Sequence, residues 1–132
     1  MIKYFLVFLF TANIAFANIG QVTQSTGNST IKRDSKKFDG QVGLALQMQD
    51  NVITNKGKLR LDFIDDTRVD VTEHSRMTID EFIYDPASGT GSLSMKATLG
   101  AVRYASGQIA KNSRQRVNIR TPSATINVRG TC

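Results

Sequence analysis

The stretch LRLDFIDDTRVDV, residues 59–71, decides the fold. Apolar residues occupy every second position on both sides of a polar turn at Asp65-Asp66, namely Leu59, Leu61 and Phe63 before the turn and Val69 and Val71 after it. This alternation is the period of a β-strand that buries one face. Acidic residues between two such runs suit a tight turn. The stretch therefore predicts a β-hairpin.

The same alternation recurs in short runs along the rest of the chain. The apolar residues of these runs are Val42, Leu44, Leu46 and Met48, then Met77 and Ile79, then Leu93, Met95, Ala97 and Leu99, then Val117 and Ile119, and finally Ile126 and Val128. After Ile79 the apolar phase slips to Phe82 and Tyr84, which predicts a β-bulge or a change of buried face. Seven or more short strands predict a single small all-β domain of antiparallel or stacked strands, either a β-sandwich or a short β-solenoid.

Two segments lack this pattern. Residues 107–116 hold too few apolar side chains to specify a strand, so they predict a loop or a single helical turn. Residues 18–40 are polar and partly basic, and they predict an N-terminal segment that leads into the β domain at residues 41–132. Within that segment, Ile19 and Val22 have the spacing to pair with an edge strand.

The first 17 residues have the three parts of a secretory signal peptide. Lys3 supplies the positive charge, residues 4–14 supply the apolar stretch, and Ala15-Phe16-Ala17 forms a small-x-small cleavage site. A membrane anchor is the alternative, but a spanning helix needs roughly 20 apolar residues and Asn13 interrupts this stretch. We therefore expect cleavage after Ala17, a periplasmic or secreted protein, and a mature form that does not span the membrane.

The charge balance is basic. The chain holds 17 basic and 11 acidic residues, and loss of Lys3 with the signal peptide lowers the formal net charge from +6 to +5. Two basic clusters stand out, one made of Lys32, Arg33, Lys36 and Lys37 and the other of Arg114, Arg116, Arg120 and Arg129. Such clusters attract anions, and export argues against nucleic acid as the partner. A solvated basic face is one interpretation, and attraction to an anionic membrane surface or polysaccharide is the other. Cys132 is the single cysteine, so no disulfide forms within the chain.

Candidate chemistry is sparse. His74 is the single histidine, and acid–base or metal chemistry needs several such groups that converge in space. Asp65-Asp66 has the oxygen ligands of a calcium site, although a turn between strands is the ordinary explanation. The sequence has no nucleophile elbow and no glycine-rich phosphate loop. We therefore expect a protein that is not an enzyme, with no catalytic residue, no cofactor and no metal site.

Two stretches go beyond a generic β pattern. The first is Asp50-Asn51-Val52-Ile53-Thr54, followed by the strand and turn at residues 58–67. The second is LGAVRYASG at residues 99–107 and then VNIRTPSATINVRGT at residues 117–131. The order and spacing of the string Thr-Pro-x-Ala-x-Ile-x-Val-Arg-Gly-Thr resemble the hallmark of FecR domains, and the likeness covers residues 41–131.

This resemblance implies structural roles for ten residues: Thr54, Asp65, Asp66, Gly100, Gly107, Thr121, Pro122, Arg129, Gly130 and Thr131. Pro122 lacks a backbone donor and suits a turn or an edge position. Arg129 lies on the polar phase of its predicted strand and is expected to pair with Asp62 or Asp66, an exposed arginine being the alternative.

The resemblance also implies a class of function. The best-known members of the family are regulators that span the inner membrane and carry a periplasmic FecR domain, which senses a loaded outer-membrane transporter. Here the predicted signal peptide takes the place of the cytoplasmic region and the membrane helix, and we expect either a minimal domain or a fragment that stops at Cys132. We expect an exported, non-catalytic module that binds an envelope protein in signalling or assembly. The alternative is a module that binds glycan or anionic envelope polymer.

Overall fold

The computed structural model describes residues 18–113, 116–121 and 124–127. In chain order, the elements of this part of the protein are β1 (Gly20–Thr26), β2 (Ser29–Arg33), β3 (Lys36–Asp39), β4 (Ala45–Leu46), β5 (Asn51–Thr54), β6 (Lys58–Phe63), β7 (Arg68–Val71), β8 (Arg76–Asp85), β9 (Thr90–Leu99), β10 (Val102–Ala105), α1 (Gln108–Asn112), β11 (Val117–Thr121) and β12 (Ala124–Asn127).

The strands form two sheets. Sheet A has the order β10-β7-β6-β1-β4, and sheet B has the order β12-β11-β9-β8-β5-β2-β3. Neighbouring strands are antiparallel except β9 and β11, which run parallel in sheet B. A parallel pair needs a crossover, and here the crossover consists of β10 in sheet A and then α1.

One hydrophobic core joins the sheets. Its fully buried members include Val22, Leu61 and Val69 from sheet A and Ile31, Val52, Met77 and Leu93 from sheet B. Phe63 of sheet A stacks on Phe82 of sheet B with ring centroids 5.3 Å apart. Burial of each such aliphatic or aromatic side chain contributes about 1.5–3 kcal/mol. The shared core confirms the predicted all-β class and agrees with its sandwich alternative.

The predicted hairpin at residues 59–71 is confirmed. Strands β6 and β7 are antiparallel, with Leu61 opposite Val69. The turn residue Asp66 has a positive φ of 73°, a conformation that aspartate tolerates better than most residues. The expected single helical turn is also present as α1, which buries Ile109 and Ala110.

Two β-bulges set the phase of the long β8–β9 hairpin. Ile79 lies opposite Met95 and Glu81 opposite Ser94, so Asp80 is the extra residue that moves the buried phase to Phe82, as the sequence predicts. A second shift places Met77 opposite Ala97 and Arg76 opposite Leu99. The predicted burial of Leu99 is therefore wrong, because this bulge turns it outward and leaves it 58% exposed.

The predicted strand at residues 42–48 is also wrong in length. Only Ala45 and Leu46 are in β4, and Leu46 is buried whereas Val42 is 63% and Met48 45% exposed. The backbone turns at both ends of this segment, with positive φ angles of 95° at Gly43 and 74° at Gln49. Such turns prevent a continuous extended strand, whatever the apolar spacing.

Residues 18–40, which the sequence predicts to be a polar approach, contain the three strands β1–β3. Strand β1 lies between β6 and β4 rather than at an edge of sheet A. Val22 and Ile31 are completely buried. Most other side chains of the segment are polar and lie on outward faces or in turns. The segment therefore has too few apolar residues for their alternation to predict the strands.

Candidate functional site

Thr54 lies at a buried junction between the end of β5 and the loop from β7 to β8. Its side chain is nearly inaccessible, at 3% exposure. The Thr54 hydroxyl donates to the backbone oxygen of Thr72 at 2.6 Å and accepts from the backbone N–H of Ser75 at 2.9 Å. The Thr54 N–H also donates to the Ser75 carbonyl at 2.9 Å. A single threonine therefore satisfies backbone groups on both sides of one loop.

Gly100 closes the same junction from the opposite side. It has a positive φ of 77°, and a Cβ there would lie 2.7 Å from the carbonyl oxygen of His74 and 2.7 Å from the Cα of Ser75. This close approach lets the Ala101 N–H donate to the Ser75 hydroxyl at 3.1 Å. Only glycine meets both the backbone and the steric requirement. We name the group of Thr54, Thr72, Ser75, Gly100 and Ala101 the Thr54 junction.

Asp65 forms a second buried junction. Its carboxylate accepts hydrogen bonds from the Thr67 N–H at 3.0 Å, the Thr67 hydroxyl at 2.8 Å and the Ile109 N–H at 3.1 Å. The Asp65 carbonyl accepts from the Gln108 N–H at 2.7 Å. Asp65 and Thr67 are both completely buried. The turn of the β6–β7 hairpin thus binds the first residues of α1.

Gly107 makes this second junction sterically possible. A Cβ at Gly107 would overlap the backbone of Asp65 and lie 2.6 Å from the Thr67 hydroxyl. Tyr104 of β10 lies beside the junction, and burial, with the Asp65 charge nearby, raises the pKa of its hydroxyl. We name the group of Asp65, Thr67, Gly107, Gln108 and Ile109 the Asp65 junction.

The Asp65-Asp66 pair lies in the turn between β6 and β7. Both Asp65 oxygens point to protein donors, whereas Asp66 is an exposed turn residue. His74 is exposed in the β7–β8 turn with a φ of 53°. In the part of the chain that the structure describes, no three histidine, cysteine or acidic residues form a group able to hold a metal ion.

Of the remaining motif residues, Thr121 is the last residue of β11, opposite Ala124 of β12. Pro122, Arg129, Gly130 and Thr131 lie outside the described residues, as does the expected pairing of Arg129 with Asp62 or Asp66. The Asp62 carboxylate has other partners: it accepts from Arg68 at 2.8 Å and from the Thr23 hydroxyl at 2.6 Å.

Sequence reasoning missed one buried ion pair. Asp50 is completely buried, and Arg33 binds it with two hydrogen bonds of 2.8 and 2.9 Å. The Gln47 N–H donates to the same carboxylate at 2.9 Å, and the Arg33 guanidinium lies 4.8 Å from the centre of the Phe38 ring. The hydrogen bonds to Asp50 raise the pKa of Arg33 despite its burial. In the sequence, Arg33 belongs to a basic cluster with Lys32, Lys36 and Lys37. Its inward direction depends on the register of β2, which the sequence alone did not predict.

Two ion pairs lie on the outer face of sheet A. Arg60 contacts Asp70 at 2.7 Å, and Arg68 contacts Asp62 at 2.8 Å. Burial opposes ionisation of Asp62, yet the hydrogen bonds from Arg68 and Thr23 and the charges of Arg68 and Arg60 outweigh it and lower its pKa. A groove of about 330 Å³ lies beside Arg60 and Asp70, and its lining also includes Gln24 of β1 and Arg103 of β10.

The outer face of sheet B differs, because four of its basic residues lie in one row without an ion pair among the described residues. Direct cross-strand neighbours along this row are, in order, Lys37, Lys32, Asn51, Thr78, Lys96 and Arg120. The four basic side chains are exposed. None of them takes part in an ion pair within the described residues. We name these six residues the sheet B row.

The fold and the two junctions define a small all-β domain in which motif residues hold loops together. The model of the FecR family, described as FecR protein, matches residues 50–132. This match spans more than half of the chain, and the chain belongs to the FecR family. No curated protein and no solved structure matches it. Family membership associates the chain with regulation and signalling at the cell envelope rather than with catalysis.

The described part of the chain has no helix with the length and apolar content needed to cross a bilayer. Its one α-helix, α1, has five residues.

Proposed function

We propose that this chain is an exported FecR domain that binds a protein partner in the envelope, in signalling or assembly, without catalysing a reaction. The observation that carries the proposal is the use of the motif side chains. Thr54, Asp65 and Gly107 are committed to contacts inside the domain. Recognition therefore belongs to the surfaces that these junctions position.

Strand β10 is the surface that suits a protein partner best. Among the described strands it is the end strand of sheet A and pairs only with β7. An edge strand offers unpaired backbone donors and acceptors to an incoming strand. The Asp65 junction lies directly after β10 and the Thr54 junction directly before it, so both ends of this edge are fixed. An ordered edge loses less conformational entropy on binding than a flexible one.

Site-specific photo-crosslinking in the host cell tests this proposal. A photoreactive amino acid replaces Arg103 on β10, and the matched control places it at Ser88, an exposed residue of the β8–β9 turn. We expect a discrete adduct with one envelope protein from position 103 and none from position 88. Absence of an adduct at position 103, or the same adducts from both positions, would contradict the proposal.

A second candidate function is binding of an anionic envelope polymer. One observation favours it: the basic residues of the sheet B row are aligned and form no ion pair within the described residues, whereas Arg60 and Arg68 of sheet A are paired with Asp70 and Asp62.

A further inference from the structure

We infer that the sheet B row is a binding site for an acidic polysaccharide that lies across the strands; this rests on the second candidate function and assigns it a place and a ligand geometry. Neighbouring strands are about 4.8 Å apart, so the five steps from Lys37 to Arg120 span about 24 Å. The row is therefore long enough to contact several sugar units at once.

The arrangement of charge along the row fits an extended chain of spaced anions. Lys37 and Lys32 form one cationic pair, and Lys96 and Arg120 form another, three strands away from Lys32. Between them lie Asn51 and Thr78, whose side chains are 3.3 Å apart. Carboxylates would contact the two cationic ends, while an amide and a hydroxyl face sugar hydroxyls in the middle.

The row is unfavourable without a ligand. Lys32 lies directly opposite Lys37, and Lys96 lies directly opposite Arg120. Like charges in directly opposed positions destabilise a sheet. A polyanion that bridges these positions removes this repulsion, so binding is expected to stabilise the domain as well as attract the ligand.

The sequence around the second pair makes the charge asymmetry stronger. Residues 86–132 contain seven basic residues and no aspartate or glutamate, so β9, β11 and β12 supply no acidic side chain to neutralise Lys96 or Arg120. The acidic residues on the same face, Asp39, Asp80, Glu81 and Asp85, belong to β3 and β8 and lie beside the row rather than in it. A polyanion that follows the row avoids them.

Binding of alginate, a polysaccharide with a carboxylate on each sugar, tests the inference with the full chain. The double variant Lys32→Gln/Lys96→Gln removes one cation from each end of the row. The control Lys56→Gln/Lys111→Gln removes the same charge from exposed lysines in the β5–β6 turn and α1. Neutral dextran serves as the uncharged ligand, and thermal unfolding verifies that each variant is folded.

We expect alginate to bind and to raise the melting temperature of the unmodified chain, with no effect of dextran. The row variant should weaken binding about tenfold and the control by less than about twofold, because only the row cations contact the ligand. Equal weakening by both variants would overturn the inferred binding site at the sheet B row, because it would show that alginate binds through the net charge of the protein. No binding of alginate by the unmodified chain would overturn both the row and the second candidate function, whereas the protein partner at β10 would stand.

Discussion

The Asp65 carboxylate accepts a hydrogen bond from the Ile109 N–H, 44 residues later in the chain, at 3.1 Å. This contact ties the turn of the β6–β7 hairpin to the start of α1. Because α1 belongs to the crossover between β9 and β11, the contact holds this crossover against sheet A. Asp65, a turn residue, therefore connects two segments that are far apart in the sequence.

Replacement of Asp65 tests the weight of that contact. Asp65→Asn keeps one acceptor oxygen but directs an amide NH₂ at a protein donor and leaves buried donors unsatisfied. We expect the free energy of unfolding to fall by about 3 kcal/mol, as measured by urea denaturation. The neighbouring Asp66→Asn, at an exposed position with a positive φ that asparagine tolerates, should change it by less than about 0.5 kcal/mol. Similar losses for the two variants would refute the role of Asp65.

Two glycine substitutions separate steric overlap from backbone strain. Gly107→Ala places a methyl group against the backbone of the Asp65 turn at an ordinary negative φ, and we expect a loss of about 2–3 kcal/mol. Gly43→Ala meets no atom within 4 Å but has a φ of +95°, and we expect a loss of about 1 kcal/mol. Thermal unfolding of both variants measures the two losses. A Gly107→Ala protein as stable as the original would contradict the steric role of Gly107, because the Asp65 junction would then have moved to make room for the methyl group.

Loss of the buried Arg33–Asp50 pair should lower the free energy of unfolding more than loss of the Arg60–Asp70 pair at the surface of sheet A. Arg33→Gln leaves the Asp50 carboxylate buried with only the Gln47 N–H among its present donors, and we expect a loss of about 2–3 kcal/mol. Arg60→Gln breaks a contact of similar length to Asp70 at the surface, so a smaller loss is expected. Urea denaturation at one ionic strength measures both, and the reverse order would contradict this assignment.

Asp62 predicts one part of the acid sensitivity of the domain. Its pKa in the folded state lies below the ordinary value of 3.8, so its contribution is fully present above pH 3.8 and is lost as the pH falls through the lower folded value. In Asp62→Asn, the free energy of unfolding should therefore decrease less than in the original protein as the pH falls below about 4. Unfolding free energies measured from pH 7 down to pH 2 provide the check, and parallel pH curves for the two proteins would exclude this contribution.

Local patterns in the sequence predicted much of the sheet structure. The alternation at residues 59–71 and the phase slip after Ile79 both report side-chain direction, which is a property of neighbouring residues. The second bulge, at Thr98, leaves no such trace, because Leu99 continues the apolar alternation but lies beyond a register shift. The segment at 42–48 fails for a related reason, since backbone angles at Gly43 and Gln49 override its spacing.

Four residues of the two junctions, Thr54, Asp65, Gly100 and Gly107, are motif residues in the sequence analysis, but their partners and contacts could not be predicted from the sequence. Asp65 and Ile109, or Thr54 and Ser75, meet only because the strands between them fold back in a particular register. The sheet B row cannot be recognised in the sequence for the same reason: its six residues come from six different strands, and only cross-strand register aligns them. Arg33 and Lys32 are adjacent in sequence and yet lie on opposite faces of β2.

Both proposed binding surfaces require that the protein meets its partner outside the cytoplasm, which makes export the central claim. The direct measurement is the intact mass and N-terminal sequence of the protein recovered from fractionated host cells. We predict a protein in the periplasmic or extracellular fraction that begins at Asn18, after cleavage behind Ala17. A protein that retains Met1 and remains in the cytoplasmic fraction would contradict the account.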